Sequence, residues 1–250
     1  MTELWEMDHY RADFTILGNL DIIEYDLKSA NTSIAREYEL LPEAKCDELD
    51  ALPKKKREIK VGLLKRDDPI YAENEKLGFI AAREAFFRKN EIKDTDVIAI
   101  KRDAIFVKKY LPYQQVGEHL LFRIKNEYSG YLNLNPVEVY QRRDRSLYTS
   151  GINDDVYKGC HERWFGEFLS LVMTSYAIGG RDTALDHIRK FYDEYKWLKL
   201  DPEYYREFNA SSRFSYKDGT YSGIEWKEDL SELNILYNQK IITKIANFIL

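Results

Sequence analysis

Two aspartates stand where carboxylates could hold divalent cations. Asp26 falls near the end of the β-branched run LDIIEYDLK at residues 20–28, and Asp103 lies between two short β-rich runs, 97–100 and 104–107. Carboxylates at neighbouring strand ends are hard oxygen ligands of the kind Mg²⁺ takes, with water and substrate phosphate in its remaining positions. Two such ions, about 3.5–4 Å apart, activate an attacking hydroxyl and stabilise a leaving oxygen. An aspartate in either place also serves as a turn cap, so the local sequence leaves both roles open.

For the two acids to meet, the intervening chain must return to the first strand. Ser29, Asn31 and Thr32 follow that strand, and a helical stretch is expected at 34–41. Pro42 and Pro53 bracket a short segment that leads into a basic run, and Asp67, Asp68 and Pro69 close it with turn chemistry. Over 72–89, Leu77, Ile80, Ala81 and Ala85 recur at three- and four-residue spacing, which predicts an amphipathic helix with that apolar stripe. If this helix crosses over the sheet, the 97–107 hairpin lies beside the first strand and brings Asp103 to Asp26. Strand-like runs at 119–124 and 137–140 follow, punctuated by Gly130 and Pro136, and the sheet is expected to end there. From Trp164 the pattern is helical, with a Gly-Gly break and then Leu185, Ile188, Phe191, Tyr192 and Tyr195 on one face. Residues 209–223 read as an extended loop or hairpin. Leu233, Leu236, Tyr237, Ile241, Ile245 and Phe248 form a last helical stripe, suited to core docking or to a partner.

Composition narrows the classes. The chain has 250 residues, 44% hydrophobic and 32% charged, which suits an ordinary globular protein with a sizeable core. Its apolar runs are far shorter than the roughly 20 residues of a membrane span, and its N-terminus carries no apolar signal region. A cytoplasmic location is expected, in the host cytoplasm if the protein is viral. Cys46 and Cys160 match no metal-ligand spacing and are expected to be free thiols. His9, His119, His161 and His187 show no paired spacing, and no Ser-His-Asp set or Gly-rich phosphate loop competes with the acids. The net charge of −5 repels nucleic acid unless cations cluster. They do so at Lys54–Arg57 with Lys60, Lys65 and Arg66, and again at Arg142, Arg143 and Arg145. Either run is also an ordinary solvated face. The 19 tyrosines suit base stacking or core packing alike.

DLKSANTSI at 26–34 resembles motif A of family B DNA polymerases, D-x-x-S-L-Y-P-S-I, and IKRDAIFV at 100–107 resembles their motif C, G-D-T-D-S-I-F-V. The two occur in family order with a helix between them. The resemblance implies an α+β fold: a polymerase-like palm, with an antiparallel sheet and packed helices, then a helical thumb-like subdomain. The palm would occupy 1–155, with reduced fingers at about 42–70, and the thumb-like region 156–250. It further implies two Mg²⁺ or Mn²⁺ ions held by Asp26 and Asp103 with the carbonyl of Leu27, and a nucleoside triphosphate received at Ser29, Ala30 and Asn31. Exposed amides in a turn after a strand form a nest for phosphate, so the physical reading agrees. KKKREIKVG at 54–62 falls where the family has K-x-x-x-N-S-x-Y-G, which makes Lys54, Lys56 and Lys60 candidates for the triphosphate. RRDRSLYTSGI at 142–152 resembles the segment K-K-R-Y-A-G-L that contacts primer-template nucleic acid, here through Arg142, Arg143, Arg145 and Tyr148.

Departures from the family matter equally. Asn31 stands where the family has the tyrosine that blocks a ribose 2′-hydroxyl, and Lys101 replaces the first motif C aspartate. On this resemblance, long fingers and a proofreading domain are not expected. The implied activity is that of a compact or split polymerase-like nucleotidyltransferase, completed by a separate polymerase or replication subunit. The alternative is a catalytically inactive palm serving as a nucleic-acid or protein-binding accessory subunit.

Overall fold

The computed structural model describes residues 3–12, 16–133, 138–144, 146–150, 155–197, 199, 206–217 and 220–230. The chain divides into two compact units, residues 1–12 with 21–127, and residues 13–20 with 128–250. The boundary expected at 155 follows the change from strands to helix. The division falls earlier, within two long strands that each pass from one unit into the other.

In the first unit the strands are β1 (His9–Arg11), β2 (Ile16–Leu27, from residue 21), β3 (Val97–Lys101), β4 (Ala104–Val107) and β5 (Phe122–Asn133, up to residue 127). Their order is β1-β3-β4-β2-β5, antiparallel at β1-β3, β3-β4 and β4-β2. Period-two alternation sends Ile23, Tyr25 and Leu27 into an apolar core and Glu24 and Asp26 to the other face. Helix α1 (Ala30–Glu37) begins directly after Ser29, four residues before the expected start. Ser29 adopts a left-handed φ of 48°, and its carbonyl accepts from the N–H groups of Thr32 and Ser33, so the turn itself nucleates the helix.

The segment between the prolines is helix α2 (Glu43–Asp50), and the basic run is helix α3 (Lys54–Asp67). Charge on nearly every side of α3 hides its period; Val61 is its buried position. Asp68 then caps α4 (Pro69–Lys89): its carboxylate accepts from the N–H groups of Ile70 and Tyr71, both at 3.0 Å, with Pro69 at the first helical position.

Helix α4 forms as expected but presents a different face. Phe79, Ala82 and Phe86 are buried, whereas Leu77 is 53% exposed. Aromatic bulk decides the orientation: Phe86 stacks on Phe122 of β5 at 4.2 Å between ring centroids and meets Tyr25 of β2 at 5.4 Å. The same buried face carries Glu75 and Arg83, which a pattern of apolar residues cannot register.

An ion-pair network joins α1 to α2 and α3. The Arg36 guanidinium donates to Glu43, Asp47 and Asp50 at 2.7, 2.8 and 2.6 Å, and Asp50 also accepts from Thr32 and Arg57. Burial pushes the Asp50 carboxyl up, but the hydrogen bonds from Arg36 and Thr32 and the charges of Arg36 and Arg57 outweigh it and hold it below the usual carboxylate range. A folded-state value below the unfolded one contributes stability above about pH 4 that is lost as pH falls through the folded value. Asp50→Asn is therefore expected to cost about 2 kcal/mol at pH 7, with the gap to wild type closing towards pH 3 in urea denaturation series.

In the second unit β5 continues beside β6 (Glu138–Gln141) and β7 (Leu147–Ser150), so the sheet does not end near residue 140. Gly130 lies within β5, paired with Gln141. The helical stretch α5 (Asp155–Lys196) is broken at Gly180, whose φ of 71° lies outside the helical region, and its two arms meet where Phe168 stacks on Phe191 at 4.0 Å. Residues 209–223 belong to a hairpin of β8 (Arg206–Lys217) and β9 (Thr220–Leu230). The expected stripe from Leu233 to Phe248 lies outside the described residues, as does Arg145. Among the described residues, no helix is long and apolar enough to cross a membrane. Cys46 is a buried free thiol.

Candidate active site

The two acids meet at adjoining strand ends. Arg102 and Asp103 form the two-residue turn of the β3–β4 hairpin, with φ of 54° at Arg102, the positive value that such tight hairpins require. Asp26 pairs across the ladder with Ala104, and the Leu27 N–H donates to the carbonyl of Asp103 at 2.9 Å. Asp26 is 9% exposed. Burial first, and then the negative charge of Asp26, push the Asp103 carboxyl above its ordinary value.

Sequence reasoning missed what stands opposite Asp26. Strand β5 brings Lys125, whose ammonium lies 2.9 Å from Asp26 Oδ1 and 3.2 Å from Glu24 Oε1, and Arg123, whose guanidinium lies 3.7 Å from Asp26 Oδ2. Asn126 donates to Glu24 at 2.7 Å. Burial works against the Lys125 ammonium, but its hydrogen bond to Asp26 and the charges of Glu24 and Asp26 outweigh it, so Lys125 titrates above an ordinary lysine. Lys101, at the end of β3, sets its ammonium over the Phe106 ring, 5.1 Å from the centroid. No motif singled out Arg123 or Lys125; only the pairing of β5 with β2 discloses them.

Three carboxylates, Glu24, Asp26 and Asp103, thus stand among the cations Lys125, Arg123, Lys101 and Arg102. The carboxylate oxygens of Asp26 and Asp103 are hard donors of the kind a divalent ion takes. Among the described residues no group of three His, Cys, Asp or Glu side chains is arranged to hold a metal. An ion here would rest on Asp26 and Asp103, with phosphate and water completing it, as Mg²⁺ commonly does.

Next to the acids, the β2–α1 turn opens onto a cavity of about 300 Å³ lined by Lys28, Ser29, Ser33, Arg36, Asp50 and His119 among others. The Lys28 N–H donates to the Leu121 carbonyl and the Ser33 hydroxyl to the Lys28 carbonyl, which fixes the turn. The amides of Ala30 and Asn31 precede the first intrahelical hydrogen bond. None of Lys54, Lys56 and Lys60 lines the cavity. Lys54 is exposed on α3, 3.9 Å from Glu58; Lys56 is exposed; Lys60 is held by Glu48 at 2.6 Å. The cations that do line it are Lys28 and Arg36, the latter already held by Glu43, Asp47 and Asp50.

The residues expected to contact nucleic acid belong to the second unit. Arg142 and Arg143 occupy the β6–β7 turn, where the Arg142 guanidinium lies 5.8 Å from the Tyr128 ring centroid. Tyr148 on β7 is packed against Tyr140 at 5.8 Å and Tyr128 at 6.2 Å. Buried Glu138 accepts from the hydroxyls of Tyr140 and Tyr131, so much of the tyrosine content of this unit is core.

The family model described as Bacteriophage PBS1 gene 130 protein matches residues 1–250. The chain belongs to that family. No curated protein matches the sequence. Among solved structures, this member of the PBS1 gene 130 family is similar to the family B DNA polymerase from the hyperthermophilic archaeon Pyrobaculum calidifontis, at 13% identity and a TM-score of 0.47. The likeness covers 80% of this chain and 37% of the polymerase, so the chain spans well under half the length of that protein.

Proposed function

We propose that the protein is a compact or split family B-like nucleotidyltransferase that transfers a nucleotide from a nucleoside triphosphate to the 3′-hydroxyl of a nucleic-acid primer. The reading rests on one observation: Asp26 and Asp103 stand at adjoining strand ends, with Asp26 paired to Ala104 and the Leu27 N–H on the Asp103 carbonyl. Asp26 and Asp103 would hold Mg²⁺ or Mn²⁺, which when bound supplies charge neutralisation for in-line phosphoryl transfer. Ala30 and Asn31 offer free amides to the triphosphate in the adjacent cavity, which Lys28 also lines. Arg142, Arg143 and Tyr148 offer cations and a ring to the primer-template. A separate polymerase or replication subunit would supply the missing fingers surface, and the phage family suits a reaction in the host cytoplasm.

A second reading has its own support. Lys125 and Arg123 already neutralise Asp26, and Lys101 ends β3 where a further acid would strengthen a cation site. That arrangement suits an inactive palm that binds nucleic acid or a replication protein. A labelled triphosphate, a primed template and Mg²⁺ or Mn²⁺ separate the two. Extension supports the transferase; a folded wild-type chain that binds the template but extends nothing with either metal supports the accessory module.

A further inference from the structure

We infer that Arg83 is a positioning residue for the acidic pair, and that with the N-terminal segment around Trp5 and Asp8 it straps down the turn that carries Asp103. The inference rests on the reading of Asp26 and Asp103 as a cation site. Arg83 lies in α4 with its guanidinium 1% exposed, and a buried guanidinium must place its N–H groups on acceptors. Nε donates to the Trp5 carbonyl at 2.7 Å, Nη2 to Asp8 Oδ1 at 3.2 Å, and Nη1 to the Arg102 carbonyl at 2.8 Å. That last carbonyl belongs to the peptide group joining Arg102 to Asp103.

The turn is held on its other sides too. The Arg102 N–H donates to the Asp8 carbonyl at 2.7 Å, and β1 pairs with β3 at His9 and Lys101. The next carbonyl, that of Asp103, accepts from Leu27 of β2. The Arg102 side chain lies over the Phe79 ring, 4.7 Å from its centroid, and reaches Glu75 at 3.0 Å, both on α4. Two consecutive peptide carbonyls flanking Asp103 are therefore fixed, one by Arg83 and one by β2. A left-handed φ at a side chain as large as arginine is unfavourable alone and persists when its surroundings enforce it. An arginine serving only to fill the core would not need the carbonyl of the acid-bearing turn.

Amide hydrogen exchange read by NMR tests the strap without any catalytic assay. In Arg83→Lys and in Asp8→Ala, the amides of Leu27 and Arg102 should exchange about tenfold faster or more, while the remaining β2 and β4 amides keep wild-type rates. Asp8→Asn, which keeps an oxygen acceptor for Arg83, should restore most of the protection. Asp8 is partly exposed, so its variants probe the strap even if the Arg83 variant fails to fold. Unchanged exchange at Leu27 and Arg102 in the Asp8→Ala chain, or acceleration spread equally over the sheet, overturns the inference. Mn²⁺ affinity, measured by electron paramagnetic resonance, should fall about tenfold in the same variants, as losses behind a metal ligand commonly do. Wild-type protein that binds no Mn²⁺ but still gives the local exchange response would reject the cation site and leave Arg83 as the residue that positions the turn.

Discussion

Asp26→Asn and Asp103→Asn are each expected to lower primer extension by about 10³-fold or more. Neither substitution should disturb the fold. Asparagine keeps the size of the side chain and an oxygen, but it lacks the charge that an ion and a transferring phosphate require. The expected loss corresponds to roughly 4 kcal/mol of transition-state stabilisation, within what one metal ligand supplies. Folding should respond in the opposite sense at Asp103, whose carboxyl is disfavoured by burial and by Asp26. Asp103→Asn removes that repulsion, so its stability should equal or exceed that of wild type. At position 26 the Lys125 ammonium retains Glu24 as a partner. The check is single-turnover extension alongside urea denaturation. Loss of activity with intact folding follows from the proposed site, whereas activity within a few-fold of wild type would remove these acids from the chemistry.

The second large effect concerns the helix that supports the site. Phe86→Ala should destabilise the chain by about 3–5 kcal/mol, while Leu77→Ala should stay within about 0.5 kcal/mol of wild type. Phe86 is fully buried and joins α4 to β5 and β2 through Phe122 and Tyr25, whereas Leu77 is 53% exposed. A loss of that size is a large part of the roughly 5–15 kcal/mol that keeps a domain folded. Urea midpoints at unchanged slope would measure it. The reverse ranking would mean that α4 turns its other face to the sheet, and the strap through Arg83 would fail with it.

The pattern of residues made parts of this fold legible for reasons that can be named. β-branched runs with turn residues between them disclose β2 and the β3–β4 hairpin, and so disclose both acids. The existence of α4 is legible from its apolar spacing, but not its face, because Glu75 and Arg83 lie on the buried side. Helices α2 and α3 were hidden by charge, which carries no hydrophobic period. Their basic residues form a run in the sequence, whereas the structure pairs Lys60 with Glu48 and Arg57 with Asp50, and lines the cavity with Lys28 and Arg36 instead. Lys125 and Arg123 were illegible for another reason. They reach Asp26 through strand pairing across about a hundred residues, and local spacing carries no record of such a contact. The tyrosines divide in the same way: Tyr140 and Tyr131 are core around Glu138, and Tyr148 reaches solvent.

A nucleotidyltransferase of this kind requires that Asp26 and Asp103 share a cation. A Mn²⁺ titration read by electron paramagnetic resonance, on wild type and on Asp26→Asn, Asp103→Asn and a Glu48→Gln control, tests this most directly. The expected result is saturable binding that weakens about tenfold or more in each aspartate variant and is unchanged in the control. Wild-type affinity retained in either aspartate variant would contradict it.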